Sequence, residues 1–525
     1  MDRDIRERAD GGEESTPDTG TTALSLPGLG PPTGSFRRVV RCFGMDTLVT
    51  DTLLVTMDPG VPGATGDLGL VEDGAVGWTD GEITYVGPAA DAETGDADRV
   101  VSGDGCLTLP GLVNAHVHGR HSLLRGAAQD VPEIEWMTRA LDPISGHMTA
   151  ADGVVGAKLT AIEALLSGTT TLGEYAGEVA ELVAQVYNPL GLRVVATETI
   201  HAVPDDRSDI APDETYPFDR DAAETAVTRA ETLFERFDDD PLVRPAYGPQ
   251  ALDMIPLDLL ESITGRARTR DRTVHMHVAQ GDRERRQIAA RYGTGSTTVG
   301  VLADEGLLGD HLLAAHLHGA TPRERERLAD AGVRMVGCPS SITAIDGVVP
   351  PIVEYREHGG TVGLGTDQAP GPGGHNALRE VRTTAMLAKA DRGDPTALDA
   401  AGALELATIG GARALGIADS VGSLSPGKRA DVVVYDMEQA SVAPTVQTPF
   451  HTAIPNLVYA ATGTEVRNVF IDGVQRVSDG SIDGLDVSDV INDATRRAER
   501  VFADAEADWR AAASSLVTAV DDGRL

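Results

Sequence analysis

The 525-residue chain is poor in basic residues, and lysine is almost missing from it. It has 44 lysines and arginines against 81 aspartates and glutamates, a formal net charge of −37, and its only lysines are Lys158, Lys389 and Lys428. Such a surface repels nucleic acid and anionic membranes, so we expect neither as a partner. Because 41% of the residues are apolar, the composition indicates a folded protein with a solvated acidic shell suited to high salt, where charge repulsion is screened.

Cysteine is also scarce. Cys42, Cys106 and Cys338 are odd in number and widely spaced, which excludes a disulfide framework and a zinc ribbon and fits a reducing cytoplasm. No uninterrupted apolar stretch is long enough to cross a bilayer. The start Met1-Asp2-Arg3-Asp4 lacks the basic residues and apolar core of a signal peptide. We therefore expect a soluble cytoplasmic protein.

The chain is too long for one compact core of ordinary size, so several domains are expected. Residues 1–36 are dominated by Gly, Pro, Ser, Thr and Asp and predict a flexible acidic tail. Residues 37–108 contain short apolar runs separated by Asp-Gly turns, a pattern typical of β-hairpins. Strand patterns return in residues 416–480, and we expect the two segments to form one β-sandwich. Residues 481–525 predict helices packed outside the core.

Residues 109–415 alternate between apolar strand patterns and helical patterns, which indicates βα units around a parallel sheet. Strands are predicted to begin near Pro110, Thr169, Arg193, Arg244, Thr273, Leu312, Val333 and Thr361. Eight such units match an α/β fold of the (β/α)8 TIM-barrel type. A doubly wound sheet stays open on this pattern alone.

Metal-ligand residue types stand at the ends of four predicted strands. His116 and His118 close the first strand, and because alternate residues of a strand share a face, both imidazoles can reach one ion. His277, His316 and Asp367 close the fifth, sixth and eighth strands. A lone His-x-His is more often a pair of hydrogen-bonded polar side chains, but in a barrel the carboxyl ends of all strands meet at one mouth. Together the four strand ends favour a metal site with a position open for water.

The chain resembles the amidohydrolase superfamily over about residues 37–477, in the branch that contains triazine hydrolases and the S-adenosylhomocysteine and cytosine deaminases. The matching motifs are Pro110-Gly111-Leu112-Val113-Asn114-Ala115-His116-Val117-His118, Leu123-Leu124-Arg125-Gly126, Ser167-Gly168-Thr169-Thr170-Thr171, Gly365-Thr366-Asp367, Ala412-Arg413-Ala414-Leu415-Gly416 and Gly422-Ser423-Leu424-Ser425-Pro426-Gly427-Lys428-Arg429-Ala430-Asp431. The resemblance implies a (β/α)8 barrel with a small β-sandwich built from both ends of the chain.

The resemblance further implies that His116, His118, His277 and Asp367 hold one divalent ion. Zn²⁺ is the expected ion, and Fe²⁺, Mn²⁺ or Co²⁺ would accept the same ligands. In the implied reaction a metal-bound hydroxide hydrolyses a non-peptide C–N bond. Asp367 accepts and returns a proton, while His316 polarises the substrate carbonyl or orients the attacking water.

Five further residues are predicted to touch the substrate. They are Gln280, Glu174, His121, His375 and Gln250. His121 and His375 stand in loops, where a solvated histidine is equally common, and for Glu174 a structural ion pair is the alternative. His275 and His318 share strand faces with better matches, so we interpret them as polar side chains behind the ligands or in the core.

The segment His277-Val278-Ala279-Gln280 departs from the deaminases of this branch, which carry His-x-x-Glu here. A neutral amide cannot transfer the proton that this glutamate gives to a ring nitrogen. Together with Asp367-Gln368-Ala369-Pro370-Gly371, the segment is more similar to phenylurea and molinate hydrolases. We therefore expect hydrolysis of an amide, urea or carbamate. A deaminase of an adenosine-like or aminopyrimidine or triazine substrate is the alternative, and a non-catalytic scaffold, disfavoured by the retained ligands, is the second.

The metal count and the partners can also be predicted. A two-metal site of the hydantoinase or dihydroorotase kind needs a carboxylated lysine on the fourth strand, and residues 244–252 contain no lysine. One metal is therefore expected. The expected partner is a small-molecule substrate. Homo-oligomers are common for this fold, although the sequence has no specific sign of one.

Overall fold

The computed structural model describes residues 45–525 except residues 94, 96, 205, 206, 208, 209, 212, 213 and 372. The tail predicted at residues 1–36 lies outside the described residues. Seventeen strands are described: β1 (Met45–Val55), β2 (Leu70–Thr79), β3 (Glu82–Pro88), β4 (Ala97–Ser102), β5 (Cys106–Pro110), β6 (Leu112–Val117), β7 (Thr169–Ala176), β8 (Arg193–Ile200), β9 (Val243–Pro249), β10 (Val274–Val278), β11 (Leu312–His316), β12 (Arg334–Gly337), β13 (Val362–Leu364), β14 (Val432–Asp436), β15 (Val466–Ile471), β16 (Val474–Ser478) and β17 (Ser481–Ile482).

The described α-helices include several of only one turn. They are α1 (Glu133–Glu135), α2 (Asp142–Ser145), α3 (Ala150–Leu166), α4 (Val179–Leu182), α5 (Asn188–Leu190), α6 (Arg220–Phe237), α7 (Leu257–Arg270), α8 (Asp282–Tyr292), α9 (Thr298–Asp304), α10 (Pro322–Asp330), α11 (Pro339–Ile345), α12 (Ile352–Glu357), α13 (Ala377–Arg392), α14 (Ala400–Leu406), α15 (Ile409–Leu415), α16 (Ala453–Ala460), α17 (Val487–Ala512) and α18 (Ser515–Asp521). Among the residues described, no helix is both long and apolar enough to cross a membrane.

Strands β6 to β13 form one parallel sheet in the order of the sequence, and this sheet nearly closes on itself. A parallel bridge between Val117 and Asp367 joins the end of β6 to the residues that follow β13. All residues of β6, β7, β10 and β11 are buried, as expected for strands covered by helices on one face and by the barrel interior on the other. The sequential order excludes a doubly wound sheet, and the predicted (β/α)8 barrel is confirmed.

Helix α3 illustrates how local sequence sets an element of the barrel. Thr149 accepts a hydrogen bond from the backbone N–H of Asp152, and the Asp152 carboxylate accepts one from the N–H of Thr149, so a capping box begins the helix. Apolar residues recur at helical spacing along it, and Gly168, with φ +87°, turns the chain into β7. The sequence pattern therefore predicts this helix and its end.

A second, mixed sheet is built from both ends of the described chain. Its strand order is β17-β16-β15-β14-β5-β1-β2-β3, with β4 paired to β1. The two chain ends meet where β14 pairs antiparallel with β5. The barrel is tied to this sheet by Arg193 at the start of β8, whose guanidinium donates to both carboxylate oxygens of Asp431 at 2.8 and 2.9 Å. A separate β unit from both chain ends is thus present, while the predicted domain boundaries stay predictions.

The long C-terminal helix α17 packs against the segment that follows β6. Ala494, Val501 and Ala505 of α17 share an apolar cluster with Leu124 and Trp136 of that segment. The side chain of Asp152 is fully buried and forms ion pairs with Arg497, at 3.0 Å, and with Arg500. Helix α17 therefore supports residues at the mouth of the barrel.

We expect Asp152→Ala to lower the free energy of unfolding by about 1–3 kcal/mol, because the change removes a helix cap and two charged hydrogen bonds. Burial opposes ionisation, but hydrogen bonds from Thr149, Arg500 and Arg497 hold the pKa of Asp152 well below its usual value. The stabilisation is then present above the usual pKa of aspartate, near pH 4, and is lost only as the pH falls further. Urea unfolding at pH 7 and at about pH 2.5, below the usual pKa of aspartate, measures both effects.

The matched control is Asp504→Ala, which changes the net charge equally and removes an exposed partner of Arg500. It should cost about 0–1 kcal/mol, as exposed ion pairs do. Equal effects of the two substitutions would contradict a structural role for the buried carboxylate.

Candidate metal centre and substrate cleft

Four histidines and one aspartate converge at the carboxyl ends of the barrel strands. They are His116, His118, His277, His316 and Asp367, and all are buried. Ligand atoms of His116, His277 and His316 lie within 4.8 Å of one another, and so do those of His116, His118 and Asp367. The ring centres of His116 and His277 are 5.0 Å apart. The residues predicted to hold the metal are therefore brought together at one place.

Backbone carbonyls fix the orientation of two imidazoles. Nδ1 of His118 lies 2.9 Å from the carbonyl oxygen of Tyr175, and Nδ1 of His277 lies 2.9 Å from that of Gln250. A carbonyl only accepts, so each Nδ1 carries the proton and donates it. The lone pair of each ring is then on Nε2, the nitrogen left for a metal.

His116 is held by another histidine. Its Nδ1 lies 2.9 Å from Nε2 of His275, and Nδ1 of His275 lies 3.4 Å from the hydroxyl of Thr197. His275 is thus the partner of His116. Burial lowers the pKa values of His118, His275 and His277 well below the usual value, and the charges of neighbouring histidines lower them further. These imidazoles are neutral at pH 7, which is the state that binds a metal.

Asp367 completes the cluster. Its Oδ2 accepts a hydrogen bond from the Ser341 hydroxyl at 2.5 Å, while Oδ1 lies 3.4 Å from Nε2 of His118 and 3.6 Å from Nε2 of His116. Burial opposes ionisation, but the closeness of His116 and of the other histidines holds the pKa of Asp367 well below its usual value. The carboxylate is therefore ionised.

The donor set fits a divalent cation. Nε2 of His116, Nε2 of His118 and Oδ1 of Asp367 are buried and have no hydrogen-bond partner within the described part of the chain. Leaving such groups unpaired costs about 1–3 kcal/mol each, more for a charged one. Neutral imidazole nitrogens and one carboxylate oxygen are ligands typical of catalytic zinc. A bound ion would satisfy all three atoms.

The backbone at the barrel mouth is strained where the site requires it. His316 and Asp367 have φ values of +80° and +60°, in the left-handed region that residues other than glycine seldom adopt. Gly365 has no side chain, and a Cβ there would lie 2.7 Å from Cβ of His116. Glycine thus allows β6 and β13 to approach closely enough for His116 and Asp367 to meet.

A cleft opens beside the histidines. Its described lining is Glu133, Trp136, Met137, Gln250, His277, Gln280, Arg283, His316, Ile342, Ile345, Asp346, Asp367 and Gln368. A larger cavity lies against residues 347–354, but none of the four predicted ligands lines it. We take the cleft at the histidines as the substrate site because the reactive groups face it.

Two of the five predicted substrate residues, Gln250 and Gln280, line the cleft. The other three, Glu174, His121 and His375, are not among its described lining. Glu174 accepts hydrogen bonds from the N–H of Gly119 at 2.9 Å and from the Tyr187 hydroxyl at 2.5 Å, and burial raises its pKa to about 7. Nδ1 of His375 lies 2.8 Å from the hydroxyl of Thr366, and the ring of His121 stacks 6.2 Å from that of His118.

Several residues near the site are missed by sequence reasoning. Tyr175 packs against the rings of His116, His118 and His277 at centroid distances of 5.0–5.7 Å. It directly follows Glu174 at the end of a predicted strand, so its place in the strand pattern was the only signal. Glu133 begins the one-turn helix α1 and Asp346 directly follows α11, and no spacing in the sequence relates them to the ligands.

Comparisons with known proteins agree with this fold. Residues 107–476 match the model of the amidohydrolase family. The 5-methylthioadenosine/S-adenosylhomocysteine deaminase of Syntrophobacter fumaroxidans is 33% identical over 448 residues, covering 85% of this chain and 96% of the relative. The protein of the same name from Halobacterium salinarum is 34% identical over 461 residues, covering 87% and 99%.

Solved structures include a crystal structure of an adenosine deaminase from Xanthomonas campestris with bound zinc. It superposes with a TM-score of 0.78 at 30% identity and covers 87% of this chain and 99% of that one. The match of the family model over most of the chain, together with relatives above 30% identity along almost their whole length, establishes the family. The chain belongs to the amidohydrolase family and is a hydrolase that acts on carbon–nitrogen bonds.

Proposed function

We propose that the chain hydrolyses an amide-type C–N bond of a small molecule, in an amide, urea or carbamate, with one divalent ion held by His116, His118, His277 and Asp367. Zn²⁺ is the ion that we expect. The observation that carries the proposal is the position of Gln280, which lines the same cleft as His277, His316 and Asp367. Its Nε2 is buried without a hydrogen-bond partner among the described residues, so it is available to a substrate.

Gln280 stands where the deaminases that this chain resembles have a glutamate. Deamination of a purine or pyrimidine requires protonation of a ring nitrogen during attack, and a neutral amide is too weak an acid to transfer a proton. Attack on the carbonyl of an amide or urea has no such requirement. There the glutamine amide can orient the carbonyl oxygen or the nitrogen of the substrate by hydrogen bonds.

The side chains of the site provide the remaining steps. A divalent ion bound by the four ligands would lower the pKa of a coordinated water to about 7. Asp367 is ionised and can accept a proton from the attacking water and return it to the departing nitrogen. Burial lowers the pKa of His316 to about 3, so its ring is neutral and can donate an N–H bond to the substrate oxygen as negative charge develops there.

A second candidate is hydrolytic deamination of an adenosine-like compound. Its support is that the relatives at 33–34% identity and the Xanthomonas protein at 30% are all named as deaminases. The two candidate reactions use the same metal ligands, and both use Asp367 to transfer protons. They differ in whether ammonia or a larger amine is released, and in what the residue at position 280 must do.

The substrate class is tested by a release assay on zinc-reconstituted protein. We expect amine release from N-aryl ureas, amides or carbamates with a kcat/KM at least about tenfold above that for ammonia release from adenosine and aminopyrimidines. Gln280→Glu supplies the missing acid, and general acid catalysis contributes about 10²–10⁴-fold, so this variant should gain at least about tenfold in ammonia release.

The matched control is Gln250→Glu, which places the same charge on the other glutamine of the cleft and should not gain deamination. Faster release of ammonia than of amine by the unchanged protein would favour the second candidate. No gain in Gln280→Glu, with metal content intact, would remove the argument from position 280.

The ligand assignment is tested by metal analysis. We expect about one Zn²⁺ per chain after reconstitution and loss of at least nine-tenths of it in His116→Ala, because one of the four ligands is removed. His275→Ala should retain metal with an affinity lowered about 10–100-fold, since His275 only orients His116. His121→Ala, close to His118 but not a ligand, should bind as the unchanged protein does. Full occupancy in His116→Ala would show that the ligands are different.

A further inference from the structure

Two carboxylates face each other in the substrate cleft. Glu133 begins the short helix α1 after β6, and Asp346 directly follows α11 after β12. Between them lies Gly281, which follows Gln280 and directly precedes α8, with φ +148°. A Cβ built on Gly281 would lie 3.1 Å from Oε1 of Glu133 and 3.1 Å from Oδ1 of Asp346. The two oxygens are therefore no more than about 6 Å apart, and the missing side chain of Gly281 leaves the gap between them open.

The protein cation in the described lining of the cleft offsets the charge of this pair only in part. Arg283 is the only arginine or lysine in that lining. Its Nη1 is already bound to the buried carboxylate of Asp253 at 3.0 Å and to the Tyr216 hydroxyl at 2.8 Å. The exposed Asp282 is paired instead with Arg285 and Arg286. Glu133 and Asp346 thus add negative charge that Arg283 does not balance.

Two further observations indicate that the gap is built for a ligand. Burial raises the pKa of Glu133 in spite of Arg283, and the charge of Asp346 raises it further, so ionisation here costs free energy until a cation arrives. The side chain of His318 is only 5% exposed, and its Nε2 points to Oδ1 of Asp346 at 3.3 Å, yet within the described residues neither ring nitrogen has a hydrogen-bond partner of good geometry.

The purely structural alternative explains only part of this arrangement. Glu133 accepts a hydrogen bond from the backbone N–H of Arg283 and so helps to cap α8. That role needs one carboxylate and does not account for Asp346 on the other side of the gap. An ammonium nitrogen forms charged hydrogen bonds of about 2.7–2.9 Å, so it could contact both oxygens at once. Trp136, Ile342 and Ile345 in the same lining offer apolar surface for the rest of a ligand.

We infer that Glu133 and Asp346 form a cation subsite, and that the substrate carries an ammonium, amidinium or guanidinium group joined by an apolar segment to the bond that is cleaved. The inference rests on the proposed function in that the same cleft takes the substrate. It extends that proposal by giving the charge of the substrate. Glu133 and Asp346 are specificity-determining residues, and neither takes part in the chemistry.

The test is a binding measurement on the zinc-reconstituted full chain with two small probes of similar shape. Titration calorimetry at pH 7.5 and about 0.15 M salt compares 2-phenylethylammonium with the neutral 2-phenylethanol. We expect the cation to bind at least tenfold more tightly. The double variant Glu133→Gln, Asp346→Asn should reduce this ratio to less than threefold while the affinity for the alcohol changes less than threefold.

The control variant is Asp282→Asn, which removes one charge next to Gly281 from outside the cleft and should keep the full ratio. Equal binding of the two probes by the unchanged protein, or a ratio that survives in the double variant, would overturn the inference. A ratio lost equally in Asp282→Asn would also overturn it, because the attraction would then come from the general acidic surface.

Outcomes for the subsite and for the proposed function can be separated because binding of these probes does not require turnover. If no urea, amide or carbamate is hydrolysed but the cation preference depends on the two carboxylates, the proposed reaction fails and the subsite stands. If amine is released but the protein shows no preference for the cation, the proposed reaction stands and the subsite fails. Should the double variant lose its metal or its fold, the single variants Glu133→Gln and Asp346→Asn decide, since each should lose at least threefold of the preference.

Discussion

The site depends on the place where the barrel closes. The backbone N–H of Asp367 donates to the carbonyl of His116, and the N–H of His118 donates to the carbonyl of Asp367, both at 2.9 Å. These two bonds join the end of β6, the first strand of the barrel, to the residues after β13, the last strand of the barrel. They place a carboxylate and two imidazoles from segments 250 residues apart in sequence within reach of one ion. Closure of the barrel here requires a left-handed backbone conformation at Asp367 and the absence of a side chain at Gly365.

Burial then gives each group its chemical state. An acidic protein with a net charge of −37 would tend to favour protonated histidines, yet the imidazoles of the site are neutral because they are removed from water. Carbonyl groups and His275 hold the rings so that Nε2 faces the centre. The site therefore combines neutral donors with one ionised carboxylate, a set that suits a catalytic divalent ion and leaves room for water. Nε2 of Gln280, which has no hydrogen-bond partner among the described residues, lines the same cleft and can donate a hydrogen bond to a substrate.

Much of the fold was predictable from the sequence, because the strands are apolar runs and their periodicity differs from that of the helices between them. Each predicted barrel strand begins within two residues of the observed one. The convergence of His116, His118, His277 and Asp367 followed from the rule that carboxyl ends of barrel strands share one mouth. These are the parts of the site that lie on regular elements or within three residues of their ends.

The rest could not be predicted, for physical reasons that differ from residue to residue. His275 and His277 are two residues apart on β10, so the sequence pattern places both on the same face of the strand. Only the three-dimensional arrangement shows that His275 contacts His116. Glu174 was predicted to touch the substrate, but its neighbour Tyr175 is the one that faces the histidines. Successive side chains of a strand point to opposite faces, and the Glu174 carboxylate instead binds Gly119 and Tyr187. Glu133 and Asp346 meet across Gly281 from the start of one short helix and the end of another. The loops that position these helices show no period in the sequence.

The central claim is that position 280 directs this metal centre to an amide-type bond, and one substrate that offers both bonds tests it most directly. N6-(phenylcarbamoyl)adenosine contains a urea and an adenine C6–N bond. Incubated with the zinc-loaded protein and analysed by chromatography, it should yield aniline, carbon dioxide and adenosine. Inosine and phenylurea as the products would contradict the account.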